Sequence, residues 1–391
     1  MMSFDNTEVA FRRMSNTDLN RAYLLFKTIS SNAVVALGNY GISTALALHL
    51  PINWIIKPTV YAHFVGGETI DECKPVVQSI AQHTVSGILD YSVEGSDSTQ
   101  GIQAALAETL RTIENAATDP NIPFAVFKPT AFAPSYILEQ VSPQATLSPQ
   151  QEIEWKLFQQ RVETLCAKAH SLGVRIMIDA EDVKYQYAID TVTDQMMARY
   201  NTQQPIVFNT FQMYRTDRLA YLKASHAKAQ AQGYWLGAKF VRGAYMERER
   251  KRAQEHGYPS PIHHTKAETD TAYNEAIRYS IEHIEQIAIF NGTHNEHSSL
   301  YMTQLMATHQ IAPNDPRCWF AQLYGMSDHI SFNLAHAGYN VAKYIPYGPV
   351  KHVLPYLFRR VEENTSVAGQ TGRELSLITK EKRRRKAQAS I

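Results

Sequence analysis

The sequence is poor in the features that most simply assign a function. It has three cysteines in 391 residues, Cys73, Cys166 and Cys318. No two stand at CxxC spacing, which excludes a cysteine metal site and a disulfide framework and fits a reducing compartment. Net formal charge is +1, so the chain as a whole is not built to attract nucleic acid. The most apolar stretch, Ala33 to Ile56, is interrupted by Gly38, Asn39, Gly41, His49, Pro51 and Asn53; that excludes a membrane span and leaves a helical arm packed on the body. Asp5, Glu8 and Asp18 suit neither a secretory signal nor a transit peptide. No GxGxxG follows a strand, so a dinucleotide site has no support. There is no GxSxG, and no cysteine in a strand-end motif, hence no nucleophile paired with a base. HxH and HExxH are absent too. The pairs His263 with His264, His294 with His297, and His329 with His336 suit hydrogen bonding or helix capping better than a metal.

What is present is the composition of a globular enzyme, 44% hydrophobic and 19% charged. From about residue 86 a unit repeats: a short apolar run, a small or polar residue, then a helical stretch. The runs are Gly87–Val93, Phe124–Phe127, Val174–Ile178, Ile206–Phe211, Gly237–Val241, Ile287–Phe290, Cys318–Leu323 and Val341–Ile345. Helical stretches between them include Gln151–Ser171, Asp217–Gln232 and Thr269–Glu285. Continuously apolar strands joined by helices predict a parallel α/β sheet covered on both faces. Eight such units close into a (βα)8 TIM barrel, with a doubly wound open sheet as the other arrangement. The expected division is an N-terminal helical arm over 1–60, the barrel over 61–372 and a basic tail over 373–391. Lys380 to Lys386 carries +5 against a total of +1, leaving −4 elsewhere. Such a run is a solvated helix end, a disordered terminus or a contact for anionic lipid.

The polar residues fall at the strand ends: Asp90 and Glu94, Lys128, Asp179 and Glu181, Gln212, Arg242 with Tyr245, Thr293 to Asn295, Tyr324 and Tyr344. In a parallel barrel these ends share the face on which active sites are built. Beyond the last strand, Tyr356, Arg359, Arg360 and Glu363 fall at i, i+3, i+4 and i+7, on one face of a helix. Leu354, Leu357, Phe358 and Val361 supply the opposite, buried face. Adjacent guanidiniums repel each other unless an anion lies beside them, and their forked donors match a carboxylate or phosphate. With Lys128, Lys239, Arg242 and Lys266 they suit a phosphate-bearing cofactor and a carboxylate substrate; Tyr245, Tyr324, Tyr344 and Tyr356 suit a planar or small apolar ring. Gly243 and Ala244 let a ligand come close to the backbone. From these residues alone, a metal-dependent barrel hydrolase or lyase acting on a small carboxylate, and a non-catalytic binding protein, stay open.

Lys-Phe-Val-Arg-Gly-Ala-Tyr at 239–245, Phe-Gln-Met-Tyr at 211–214, Ile-Asp-Ala-Glu at 178–181, Thr-His-Asn at 293–295, and Tyr-x11-Tyr-x2-Arg-Arg-x2-Glu-Asn at 344–364 together resemble the proline dehydrogenases of the monofunctional, mitochondrial type, over roughly residues 60–372. The resemblance implies a distorted barrel holding FAD, with the last helix over the barrel mouth. It implies oxidation of L-proline to Δ1-pyrroline-5-carboxylate by hydride transfer to flavin N5, as the first step of proline catabolism, with electrons passed to a quinone. Arg359 and Arg360, with Lys128, would hold the proline carboxylate, Tyr344 and Tyr356 would pack on the pyrrolidine ring, and Asp179 would lie near Lys128 and the substrate. Glu94 would pair with Arg359 to close the site. The FAD contacts would be Gln212, Lys239, Val241, Arg242, Gly243, Ala244, Tyr245, Lys266, Thr293, His294, Asn295 and Glu363. Lys239 stands where some members have Arg, and Met246 where some have Trp. Tyr344 stands where the hydroxyproline-oxidising branch looks like Ser, which favours proline over 4-hydroxyproline. The location expected is cytoplasmic, peripheral on the inner membrane, or mitochondrial in a eukaryote.

Overall fold

The computed structural model describes residues 2–30, 53–92, 97–142, 144–366 and 370–389. Eight parallel strands occur: β1 (Val85–Tyr91), β2 (Phe124–Phe127), β3 (Arg175–Ile178), β4 (Val207–Gln212), β5 (Leu236–Val241), β6 (Ile287–Gly292), β7 (Cys318–Leu323) and β8 (Val341–Tyr347). Their order, β1-β8-β7-β6-β5-β4-β3-β2, with helices between successive strands, is that of a (βα)8 barrel. The strands predicted from sequence are found, with ends moved by one or two residues. The helix expected at Gln151–Ser171 is Pro149–Ser171, started by a Ser148–Gln151 capping box with Pro149 at the first turn. That expected at Thr269–Glu285 begins earlier, at Lys266, because Thr265 and Glu268 form a second capping box. The chain divides into two compact units, residues 1–93 with 322–391, and residues 94–321.

In the unit of residues 94–321, side-chain period and register place the site. Phe208 and Phe290 lie edge-on against Phe124, with centroids 5.5 and 5.1 Å away, and Trp319 lies 5.3 Å from it. Side chains two residues apart on a strand share a face. The face carrying Phe124, Phe208 and Phe290 therefore also carries Lys128, Gln212 and, across the register, Lys239. Phe127 pairs with Ile178, Asn209 with Ala238 and Thr210 with Lys239. The pairing Ile178 with Asn209 continues to Asp179 beside Thr210. Lys128, Asp179, Thr210 and Lys239 thus stand at one level, with Thr130, Glu181, Gln212 and Val241 at the next. This is the layering of side chains expected along barrel strands.

In the unit of residues 1–93 and 322–391, β1 and β8 pair in register from Val85–Val341 to Tyr91–Tyr347. An apolar cluster joins Phe11, Leu19 and Phe26 from the first helices to Phe64, Val353, Leu354, Tyr356, Leu357, Leu377 and Ile378. The helix Val350–Ser366 buries Leu354 and Leu357 as the pattern required, and Phe358 packs on the same cluster. The basic run belongs to the helix Gln370–Gln388, which buries Leu377, Ile378 and Glu381. Residues 31–52 of the expected arm lie outside the described residues, as does Glu94; nothing is described of the side chains of Val361 and Glu363. Among the described residues no helix is long and apolar enough to cross a membrane.

Candidate active site

Within residues 94–321 the predicted residues fall into two connected groups. The first joins the ends of β2 to β5. Lys239 Nζ donates to Asp179 Oδ1 at 2.6 Å, across the small Thr210 between them. Both side chains are largely buried, at 7% and 15% exposure. The Asp179 N–H donates to the Phe127 carbonyl at 3.0 Å, which continues the β2–β3 ladder one residue past the strand. Lys128 precedes the short 3-10 turn Pro129–Ala131. One level up, Thr130 donates through its N–H and its hydroxyl to the two carboxylate oxygens of Glu181, at 2.9 and 2.7 Å. Burial raises the Glu181 pKa to about 7, opposed by the Thr130 bonds and the Lys128 charge and reinforced by Asp179. Gln212, 2% exposed, donates through Nε2 to the Glu181 carbonyl at 3.0 Å. Its Oε1 is buried with no hydrogen-bond partner among the described residues. A buried acceptor left in that state costs about 1–3 kcal/mol, so it is one to which a ligand donor can add.

The second group lies past β5 and β6. Arg242 gives Nε to Asp270 at 2.8 Å, one terminal nitrogen to Thr293 at 2.7 Å and the other to Ser298 at 2.9 Å, and lies over the Tyr273 ring at 4.3 Å. Lys266 pairs with the other oxygen of Asp270. Asn295 caps the helix Glu296–Thr308 by accepting the Ser298 N–H at 2.9 Å, and its own N–H donates to Thr293 at 3.2 Å. Arg242, Lys266, Thr293 and Asn295 are therefore brought together around one carboxylate, Asp270. Sequence reasoning did not single out Asp270; its spacing four residues after Lys266 on a helix was the available signal. Gly243 has φ of 123°, and a Cβ there would come 2.4 Å from the Tyr214 ring. The glycine is required by Tyr214 beneath it as much as by any ligand above. Ala244 is exposed, and Val241, Gly243, Tyr245 and His294 are partly so.

In the other unit, Tyr344 and Tyr356 are each 7% exposed. Arg360, one turn after Tyr356, lies over its ring at 4.9 Å and is also buried. Arg359 is half-buried on the same helix. The Tyr344 carbonyl accepts the Tyr324 N–H at 2.8 Å. On the opposite face of β8, Lys343, 1% exposed, donates to Asp328 at 2.8 Å and to the Met326 carbonyl at 2.5 Å. Arg13 approaches the other Asp328 oxygen at 3.6 Å. The Ser327 N–H, in a left-handed conformation at φ of 52°, donates to Glu374. This ionic cluster was not anticipated, because Arg13 lies more than 300 residues from Asp328 in sequence and Lys343 and Glu374 reach it from two different elements.

The family model for proline dehydrogenase matches residues 73–373. The chain belongs to the proline dehydrogenase family. It is 34% identical over 322 residues to the carbapenem antibiotics biosynthesis protein CarD of Pectobacterium carotovorum, covering 82% of this chain and 83% of that one. It is 32% identical to the mitochondrial proline dehydrogenase 1 of Dictyostelium discoideum, covering 87% of this chain and 67% of the relative, and 40% identical over 239 residues to the human protein of that name, covering 60% and 40%. Among solved structures, proline utilization A from Bdellovibrio bacteriovorus, inactivated by N-propargylglycine, superposes with a TM-score of 0.73 at 21% identity. That match covers 93% of this chain and 38% of the larger one, and at this identity it speaks for the barrel alone.

Proposed function

We propose that this proline dehydrogenase family member oxidises L-proline to Δ1-pyrroline-5-carboxylate with FAD, and passes the electrons to a quinone. The observation that carries the cofactor assignment is the buried, unsatisfied Oε1 of Gln212, one strand from the Lys239–Asp179 pair. A flavin fits that donor set. Its ring edge carries an N–H for the Gln212 acceptor and carbonyl and nitrogen acceptors for lysine. Gln212, Lys239 and the backbone from Val241 to Tyr245 would hold the ring system. Lys266, Thr293, His294, Asn295 and Glu363 would hold the rest, with Arg242 tying Thr293 to Asp270. When bound, FAD supplies a two-electron acceptor for the hydride that leaves the ring carbon next to nitrogen.

The chain's own residues bind and orient. Arg359 and Arg360, with Lys128, take the carboxylate by charge-assisted hydrogen bonds. Tyr344 and Tyr356 would pack on the pyrrolidine ring, and Tyr344 would leave little room for a ring hydroxyl, which favours proline over 4-hydroxyproline. Lys239 holds Asp179 in one rotamer beside Lys128. Hydride transfer needs a neutral amine, so the rate rises with pH toward the pKa of bound proline. By the family pattern, Glu94 would pair with Arg359 to close the site. The mitochondrial relatives make mitochondria the location if the source is a eukaryote, and a peripheral membrane position is where a quinone is met. The test is direct: purified protein should be yellow, and its oxidised-flavin bands should bleach when proline is added without oxygen. Colourless protein that takes up no added FAD refutes the proposal.

A further inference from the structure

We propose that Glu181 is a positioning residue: it latches the turn after β2, and so sets where Lys128 stands, while its main-chain oxygen sets the amide of Gln212. The proposal rests on the reading of the site as a proline-oxidising one and adds to it, since that reading gives Glu181 no task. The geometry is a two-point clamp. The turn Pro129–Ala131 closes by the Ala131 N–H on the Lys128 carbonyl at 3.1 Å. At its centre Thr130 presents two donors, and Glu181 meets both with its two oxygens at 2.9 and 2.7 Å. Lys128 adjoins this clamp and cannot move its backbone without breaking it. On the other side, the Glu181 carbonyl accepts Gln212 Nε2 at 3.0 Å, which fixes the amide with Oε1 as its remaining acceptor. One residue therefore sets a group on either side of Asp179.

A carboxylate in this place also carries a charge. Glu181 is 9% exposed, and its pKa lies at about 7. The charged groups around it are few. Lys128 acts on it from the β2 turn and Asp179 from its own strand. Asp179 is held by Lys239, the neighbouring Asp182 is turned to Arg248, and β4 presents only the neutral Gln212. As pH rises through neutrality, Glu181 ionises beside Lys128 and offsets its charge, so the site's hold on a substrate carboxylate weakens. This raises KM for proline and leaves the flavin in place.

The experiment measures KM for proline against pH in three proteins, each checked for full flavin content. Unmodified enzyme should show KM rising with an inflection near 7. Glu181→Gln retains an acceptor for Thr130 but cannot ionise, and should hold the low-pH KM throughout. Thr130→Val loses one of the two bonds of the clamp while Glu181 can still ionise, and should raise KM about tenfold above pH 7, where the lost bond is to a charged group. An inflection that survives in Glu181→Gln, or an unchanged KM in Thr130→Val, overturns the proposal. If unmodified protein fails to bleach with proline, the proline reading falls, and the buried clamp is then read from unfolding. The folded state holds the Glu181 proton between the ordinary glutamate pKa of about 4.3 and about 7, so stability falls as pH rises through that window. Glu181→Gln should remove that fall; a fall that persists in the variant refutes the clamp.

Discussion

Replacing Lys239 by Met removes the cation from the buried ion pair that joins β5 to the end of β3 without removing its volume. At 2.6 Å the attraction between Lys239 and Asp179 is about 6 kcal/mol in an effective dielectric of 20, before either charge's loss of water is subtracted. Removing one partner of a buried pair costs about 3–5 kcal/mol, most of it from the charge left behind. Asp179 keeps 15% of its side chain exposed and can regain some water, so the lower end, about 3 kcal/mol, is expected. For a unit the size of residues 94–321 that is a drop of about 6–12 °C in the Tm of that unit. The assay is a double-mutant cycle by thermal unfolding of Lys239→Met, Asp179→Asn and the pair, all with flavin bound. The double variant should recover much of the loss, giving a coupling of about 1.5 kcal/mol or more. Lys239→Arg should keep both stability and flavin, because a guanidinium can still reach the carboxylate. A coupling energy within about 0.5 kcal/mol of zero refutes the argument that the pair acts as a unit.

Arg359→Met and Arg360→Met should each raise KM for proline, lowering kcat/KM by about one to two decades while FAD stays bound, since a charge-assisted bond is worth about 1.5–3 kcal/mol; an unchanged KM in both would return this face to a structural role. Tyr344→Ser should cut proline turnover and narrow the gap to 4-hydroxyproline; comparable kcat/KM for the two substrates in the unmodified enzyme would remove Tyr344 from the specificity argument. Burial raises the Glu374 pKa, so the folded state keeps its proton above the ordinary glutamate range and stability falls as pH climbs from that range through the raised pKa. Glu374→Gln keeps an acceptor for the Ser327 N–H and should flatten that dependence in thermal melts; an unaltered slope would mean that Glu374 does not titrate there.

The barrel was legible because its signal is repetitive. Each strand is a short apolar run with a polar residue in it or just past its end, and eight of them agree even where single ends shift by one or two residues. The register then turns sequence positions into neighbours: Asp179, Thr210 and Lys239 lie at one level because Ile178 pairs with Asn209 and Asn209 with Ala238. Sequence identified Lys239 and Asp179 separately but not their bond. Thr130 was not visible because a threonine in a turn is ordinary until the carboxylate opposite it is known. Arg242 shows the converse. Its place at a strand end marked it for the cofactor, and the structure occupies all three of its nitrogens with Asp270, Thr293 and Ser298. An arginine so tied acts on a ligand through the groups it holds.

The basic run near the end of the chain illustrates how much a charge count leaves out. Lys380 to Lys386 contains one acid, Glu381, and that residue is the informative one: it is fully buried. Arg384 binds both of its oxygens at 2.8 Å, and Arg385 binds one of them at 2.8 Å. Arg385 then reaches the carbonyls of Phe11, at the end of the helix Thr7–Phe11, and of Met14 just beyond it, each at 2.8 Å. Lys380 donates to the Asp5 carbonyl at 2.8 Å, and Lys382 lies 4.1 Å over the Tyr23 ring. At least four of the six cations in the run therefore have partners within the same compact unit. A polybasic segment attracts an anionic membrane in proportion to the charges it can present, at about 1 kcal/mol each. With most of them engaged, the run is a weaker lipid ligand than its +5 suggests. Its stronger role is to fasten the helix Gln370–Gln388 to the first helices; an earlier turn of that helix, through Glu374, holds the left-handed Ser327 that precedes Asp328 and its bond to Lys343. Lys343 is the neighbour of Tyr344 on β8, so the last helix and the first ones act on the same strand that carries a substrate-packing residue of the proposed site.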